Sequence, residues 1–237
     1  MFNLGIKLTF LVLGFSILIT FTSFNTMAQS KTDSKSGTGP KLGAEIVLLT
    51  NYTDKGLTQT EQEPAGQMAF GLQYTSGFLG IWGSNVKYVG EDNHFNYRIV
   101  GNLKFDITAG VDLTANYKYS RYVSDPARNG NIWGFDLNLY TYHVLIENED
   151  NFEAQRKGRY WFAFGKEWPM WGMFLDTVAG YSMIQADGFT NYFDTRVALR
   201  YKWAISSFAL VSTVTSTPSQ FNGRAKAMFF AELKANF

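Results

Sequence analysis

Cysteine is absent from the 237-residue sequence. A disulfide framework, thiolate metal sites, a cysteine nucleophile and a lipid anchor on an N-terminal cysteine are therefore excluded. Histidine is scarce, with His94 and His143 the only two, which argues against a histidine-rich metal centre. Charge of one sign is also lacking: 21 basic residues stand against 20 acidic ones. A nucleic-acid partner needs a basic face, and none is present. Charged residues reach only 17% while aromatics also reach 17%, the first low and the second high for a soluble domain. Past Ala28 no apolar run approaches the ~20 residues of a membrane helix.

The N-terminus carries the one long apolar run. Lys7 is the only charge in the first 28 residues, Leu8 to Phe24 is apolar, and Thr26-Met27-Ala28 gives a small-x-small cleavage pattern. Residues 1–28 are expected to be a secretory signal peptide, cleaved after Ala28. The alternative is an uncleaved membrane helix. Gly14, Ser16, Thr20 and Thr22 dilute the run, however, and no basic cluster follows it. Residues 29–42, rich in Ser, Thr, Lys and Gly and containing Pro40, read as a flexible linker on the periplasmic side.

From residue 43 to residue 237 the periodicity is that of strands. In 224–237 every odd position is apolar, from Ala225 to Phe237, while Arg224, Lys226, Glu232, Lys234 and Asn236 hold even positions. Period two gives such a strand one apolar and one polar face. About 9–11 tilted residues suffice to cross a bilayer. The ending resembles the last strand of bacterial outer-membrane proteins, in which a final Phe, here Phe237, signals to the barrel-assembly machinery. The alternation recurs in 106–121, 189–203, 171–186 and 65–75, and further strands are expected at about 44–53, 78–88, 94–105, 131–140, 159–168 and 205–216. Backbone polar groups in lipid must all be satisfied, so the strands have to close into a barrel. Its outer face would meet membrane lipid, its inner face a polar lumen, and its aromatics the interfaces.

That inventory comes to eleven strands, an odd number. With both ends of the barrel on the periplasmic side the number must be even. Loops at 54–63, 124–131, 148–157 and 217–223 are then external, and Ser76-Gly77 and Trp168–Trp171 are tight periplasmic turns. Forward and backward counts agree only if a turn hides near Leu139–His143, making Tyr142–Asn148 a strand of its own. An all-β antiparallel transmembrane barrel of twelve strands is expected, with ten as the fallback.

The first hairpin carries a more specific pattern. Thr50-Asn51-Tyr52-Thr53-Asp54-Lys55-Gly56-Leu57-Thr58-Gln59-Thr60 is followed by Pro64-Ala65, Gly77-Phe78 and Trp82-Gly83-Ser84-Asn85. This resembles the TorF-like family of outer-membrane porins over about residues 50–88. The family pattern is roughly Ser-x-Tyr-x-x-Arg-Gly-x-Ser-Gln-Thr, then Pro-Ala, a Gly-Phe hairpin and Trp-Gly-Ser-Asn. Lys55 stands where the family has Arg, keeping the charge and losing the planar fork. Thr50 and Thr58 stand in for Ser. The resemblance implies a channel in the outer membrane of a Gram-negative bacterium, without naming its solute. It singles out Tyr52, Lys55, Gly56, Gln59, Thr60 and Pro64. Lys55 and Gln59 sit in the first external loop, which either folds into the lumen and lends a cation and an amide to solute selection or ties down the barrel mouth through hydrogen bonds.

Alternation assigns Arg98, Lys104, Lys118, Arg196, Arg200, Arg224, Lys226 and Lys234 to the lumen, with Glu45, Asp112, Asp136, Asp176, Asp194 and Glu232. Such a set either tunes selectivity or fills the interior with salt bridges; Asp194, Arg196 and Arg200 are placed to reach Asp176. Trp82, Trp133, Trp161, Trp168, Trp171 and Trp203 are read as girdle residues rather than a sugar track. His94 and His143 have Ser120, Ser124, Asp92 and Glu147 as nominal catalytic partners, but no motif joins them, so no enzyme is expected. No catalytic residue, metal site or cofactor is assigned. The expectation is a porin-like channel for small polar solutes; the alternative is a non-conducting barrel with a side-chain-filled lumen.

Overall fold

A computed structural model describes residues 39–88 and 94–237. The expected signal peptide and most of the linker lie outside them. Strand β1 (Lys41–Leu49) is followed by two short strands, β2 (Thr53–Asp54) and β3 (Leu57–Thr58). Next come β4 (Ala65–Tyr74), β5 (Gly77–Val86), β6 (His94–Thr108), β7 (Val111–Tyr122), β8 (Gly130–Leu139) and β9 (Tyr142–Glu149). The chain ends with β10 (Arg159–Met170), β11 (Met173–Ile184), β12 (Tyr192–Trp203), β13 (Ser206–Thr215) and β14 (Met228–Asn236). β1 begins two residues before the expected barrel start.

All strands except β2 and β3 join one closed antiparallel barrel of twelve. Sequential neighbours pair throughout, and β14 returns to β1 in the register Leu48↔Leu233 to complete the ring. Closure leaves no edge strand, which is what a lipid environment requires.

Period two sets the two faces. In β4, Ala65, Gln67 and Ala69 are buried inside, and Met68, Phe70 and Leu72 point out. In β12, Asp194, Arg196 and Arg200 are buried and Phe193, Val197 and Tyr201 are exposed. Phe229, 84% exposed, and Met68, 62% exposed, would be unfavourable against water. Facing hydrocarbon they complete the outer band of a transmembrane barrel.

The two ends differ. One has two-residue turns, at 75–76, 109–110, 140–141, 171–172 and 204–205, together with Lys41 and Phe237. The other carries the longer connections, including 50–64, 150–158 and 216–227. The turn hidden from composition lies at Tyr140-Thr141, where Tyr140 takes φ +59°. A two-residue hairpin needs positive φ and normally recruits Gly or Asn. An aromatic filling that role explains why turn chemistry did not mark it.

Several boundaries differ from expectation. β1 ends at Leu49 rather than at about residue 53, because 50–53 enter the next connection. The 106–121 alternation is interrupted by the turn at Ala109-Gly110, with Gly110 at φ +77°. The turn expected at Trp168–Trp171 sits at Trp171-Gly172; Pro169 stays in β10, beyond the last β9 pairing, Lys166↔Tyr142, where its missing N–H deprives no partner strand. β14 starts at Met228 rather than Arg224, because Arg224–Ala227 belong to the preceding loop.

Candidate functional site

The connection 50–64 does not stand out from the barrel; it turns inward. Tyr52, Thr53, Leu57, Thr58, Gln59 and Thr60 are all buried. β2 and β3 form a small hairpin with Lys55-Gly56 at its tip. Its hydroxyl-rich composition supplies its internal bonds. Thr58 Oγ1 donates to Asn51 Oδ1 (2.5 Å), Thr60 Oγ1 donates to the Glu63 carbonyl (2.7 Å), and the Tyr52 amide donates to Thr60 Oγ1 (3.2 Å). Gln59 donates to the Leu57 carbonyl and accepts the Tyr88 hydroxyl at 2.8 Å.

The rest of the first-hairpin pattern anchors this loop. Asn85 donates to the Pro64 carbonyl (3.1 Å) and accepts the Gly66 amide (2.7 Å). The Trp82 indole meets the Tyr52 ring edge-on at 6.0 Å. Gly83 leaves room for Phe95, whose ring would come within 2.4 Å of an added Cβ. The dispersed motif is thus one structural unit: a hairpin and its footing.

The tip reaches the far wall. Lys55 Nζ lies 2.8 Å from Glu147 of β9 and 5.5 Å from the centroid of the Trp161 ring of β10. Its carbonyl accepts the Tyr192 hydroxyl of β12 (3.0 Å), and the Gly56 carbonyl accepts Thr215 Oγ1 of β13 (3.0 Å). Gly56 has φ +77°, and a Cβ there would fall 2.5 Å from Thr215 Oγ1 and 2.8 Å from Asp194 Cβ. Only glycine fits that seat. Burial disfavours a charge on Lys55, yet Asp54 and Glu147 hold its ammonium above the ordinary lysine range. Burial likewise works against Asp54, but Lys55, Arg98 and Arg159 hold its carboxyl below the usual range. Between tip and wall is a cavity of about 60 Å³, bordered by Tyr52, Lys55, Lys118, Glu147, Trp161 and Asp194 among others.

Above the hairpin the longer connections close over it. Arg224 Nε donates to the Thr58 carbonyl (3.1 Å), and its Nη1 pairs with Glu153 at 2.8 Å. Arg128 joins the same carboxylate at 3.1 Å. Both guanidiniums lie over the Tyr88 ring, at 4.7 and 3.9 Å. Leu57, Phe152, Tyr192, Phe221, Ala186 and Ala225 form an apolar cluster there.

Every residue singled out for the lumen by strand alternation is placed as follows. Glu45, Arg98, Lys118, Asp136, Asp176, Asp194, Arg196, Arg200, Glu232 and Lys234 face the interior from strands, with Asp112 and Lys104 nearer the turn end. Arg224 is interior but comes from a loop, and Lys226 is an exposed loop residue. Lys118 shares Glu147 with Lys55, and Lys234 pairs with Glu45. Arg200 binds Asp176 at 2.8 Å, Arg196 binds Glu232 at 3.2 Å, and Lys104 binds Asp112 at 3.2 Å. Asp194 accepts the Trp161 indole N–H at 3.0 Å instead of joining Asp176 and the arginines. Arg98 stacks on Trp82 at 4.7 Å.

Trp82 and Trp161 correct the girdle assignment: both are buried inside, while Trp133, Trp168, Trp171 and Trp203 are exposed outside. Strand parity already separates them, since Trp82 follows outward Ile81 and Trp161 alternates with outward Phe162. Glu153, Tyr192 and Thr215 escaped sequence reasoning, and Glu147 entered it only as a nominal catalytic partner, because their roles depend on a loop from elsewhere. His94 packs between Tyr88 and Tyr122, with ring separations of 5.9 and 6.4 Å. Asp92 lies outside the described residues.

A family model described as a bacterial protein of unknown function (Gcw_chp) matches residues 33–118. This stretch contains the hairpin and its footing. No curated protein matches the sequence. Among solved structures, two of the outer membrane protein OprD from Pseudomonas aeruginosa are similar. One aligns at 9% identity and TM-score 0.40 over 86% of this chain and 67% of its own, the other at 10% and 0.41 over 86% and 66%. This chain thus spans about two thirds of their length.

Proposed function

We propose that this chain is a porin-like channel in the outer membrane of a Gram-negative bacterium, passing small polar solutes through a lumen constricted by the β2–β3 hairpin. The observation that carries the reading is the hairpin itself. It crosses the interior from β1 to β9, β10, β12 and β13 and rests on charged and polar side chains at its tip. A barrel that needed only a filled interior would be expected to meet it with apolar packing. The resemblance of residues 50–88 to TorF-like porins supports the same reading. Insertion by the barrel-assembly machinery through Phe237 and a surrounding of outer-membrane lipid belong to it. Selectivity would come from the narrow width and the paired charges beside the tip.

A second reading has its own observation. Opposite the charged wall, Tyr52, Phe78, Trp82, Met228 and Phe230 pack into a continuous apolar cluster inside the barrel. A barrel of this size can be filled by its own side chains and conduct nothing.

Planar-bilayer recording separates the two. Refolded protein is expected to give small stepwise currents, and a variant with Thr53–Thr58 replaced by Gly-Ser-Gly larger ones. Silence from both, with folding established by heat-modifiable gel migration, would reject the channel.

A further inference from the structure

Lys55 is held as a ligand is held. Its ammonium donates to a buried carboxylate at 2.8 Å and faces an indole ring, the pairing that protein sites use to recognise an organic cation. It arrives from a loop, the two-residue tip of the β2–β3 hairpin, rather than from the wall that receives it. We propose that Lys55 is a built-in ligand occupying a primary-amine site formed by Glu147, Trp161 and Asp194, and that solutes bearing a protonated amine are the class this lumen binds when the tip withdraws. The solute part rests on the channel reading; the site does not.

The local charge at the Lys55 position favours a cation. Glu147 is shared by two ammonium groups, Lys55 and Lys118, and withdrawal leaves it with one. Arg98, which also lines the cavity, stays on the Trp82 ring, while Arg159 is held by Glu149 at 2.6 Å and Arg196 by Glu232 at 3.2 Å. The vacated place beside Glu147 is one that a bound ammonium fills. An anion would meet two carboxylates at the same place. Geometry narrows the class further. The 2.8 Å contact needs an N–H donor, which a primary amine has and a quaternary one lacks. The adjoining cavity of about 60 Å³ has room for a few waters, so a headgroup somewhat larger than ammonium fits without moving the wall.

The test is chemical rescue. Lys55→Ala removes three carbons and the ammonium, and n-propylammonium supplies those atoms. Refolded K55A is expected to bind n-propylammonium saturably by titration calorimetry, while wild type, with its site filled, does not. Tetramethylammonium should bind at least tenfold more weakly and propionate not at all. Adding Glu147→Gln should weaken n-propylammonium at least tenfold. If K55A does not refold, the Gly-Ser-Gly variant exposes the same wall. The proposal is overturned if folded protein lacks saturable amine binding, if propionate binds equally, or if the Glu147→Gln background binds as well. Currents from the same preparations keep the two readings apart: amine binding without current retires the channel and leaves the site, and current without amine binding does the reverse.

Discussion

The two sides of the lumen treat the hairpin differently. Its stem meets an apolar wall, where Tyr52 lies against Trp82 and the cluster continues through Val86, Met228 and Phe230. Its tip meets a charged wall, where Lys55 and Lys118 share Glu147 and Asp194 takes an indole N–H. Apolar packing is non-directional and tolerates no vacancy. Charged seating is directional and exchangeable, since another cation can replace the first. The contrast assigns anchorage to the stem and release to the tip.

The largest effect should come from breaking the anchored side. Trp82→Ala deletes the partner of both Tyr52 and Arg98 and is expected to cost about 4 kcal/mol, in the range for buried Trp→Ala changes. Urea titration of the barrel folded into vesicles measures it. An unchanged midpoint would show that the apolar side is not the anchor. On the charged side, Glu147→Gln leaves two buried ammonium groups without their carboxylate and should cost about 3 kcal/mol. Combining it with Lys55→Met should recover about half of that loss, whereas Lys55→Met should recover nothing of the Trp82→Ala loss. Equal recovery in both backgrounds would erase the distinction between the walls.

Gly56→Ala sharpens the comparison without touching a charge. The added Cβ meets Thr215 Oγ1 and Asp194 Cβ in a left-handed backbone, a strain of about 1–3 kcal/mol. The tip should lift while the stem stays. The expected signature is a shifted Trp161 emission and larger bilayer currents with little change in the urea midpoint. A fall in the midpoint as large as that of Trp82→Ala would mean that tip and stem move as one body.

Much of this was legible in the sequence. Alternation assigned Glu45, Arg98, Asp176, Arg196, Arg200 and Glu232 to the inner face, because period two is a property of each strand by itself. The parity of the barrel located the turn at Tyr140-Thr141 although no Gly, Pro, Asn or Asp marks it. Pairing was legible only in part: Arg200 reaches Asp176 across adjacent strands, but more distant partners were not foreseen. Arg196 and Glu232 sit on β12 and β14, two strands apart, and only barrel closure and tilt bring them together. Alternation likewise gives a face but not a tertiary neighbour, so Glu147 stood only as a nominal partner of the histidines and Trp161 as a girdle residue. The inward turn of 50–64 was one of two readings of Lys55 and Gln59 and could not be decided for the same reason. Its threonines read as loop chemistry, and their partners are one another and the far wall.

The smallest expected effect lies at the long-loop end, where the hairpin is capped from above. Glu153 is buried, which by itself would raise its pKa, but Arg224 and Arg128 hold it below the ordinary glutamate range. A carboxylate whose folded pKa is depressed contributes stability that is present above its unfolded value of about 4.5 and is lost as pH falls through the lower folded value. Wild type should therefore lose cap stability as pH falls below about 4.5. Glu153→Gln should show that loss already at pH 7 and no further step in this window. Hydrogen exchange of the Thr58 amide, which donates to the Arg224 carbonyl at 2.8 Å, reads the cap directly. A lower protection factor in acid, relative to the intrinsic exchange rate at each pH, for wild type but not for Glu153→Gln would place the switch at Glu153. Because Arg224 also donates to the Thr58 carbonyl, loosening the cap should ease withdrawal of the tip from Glu147 and leave the Tyr52–Trp82 stem in place.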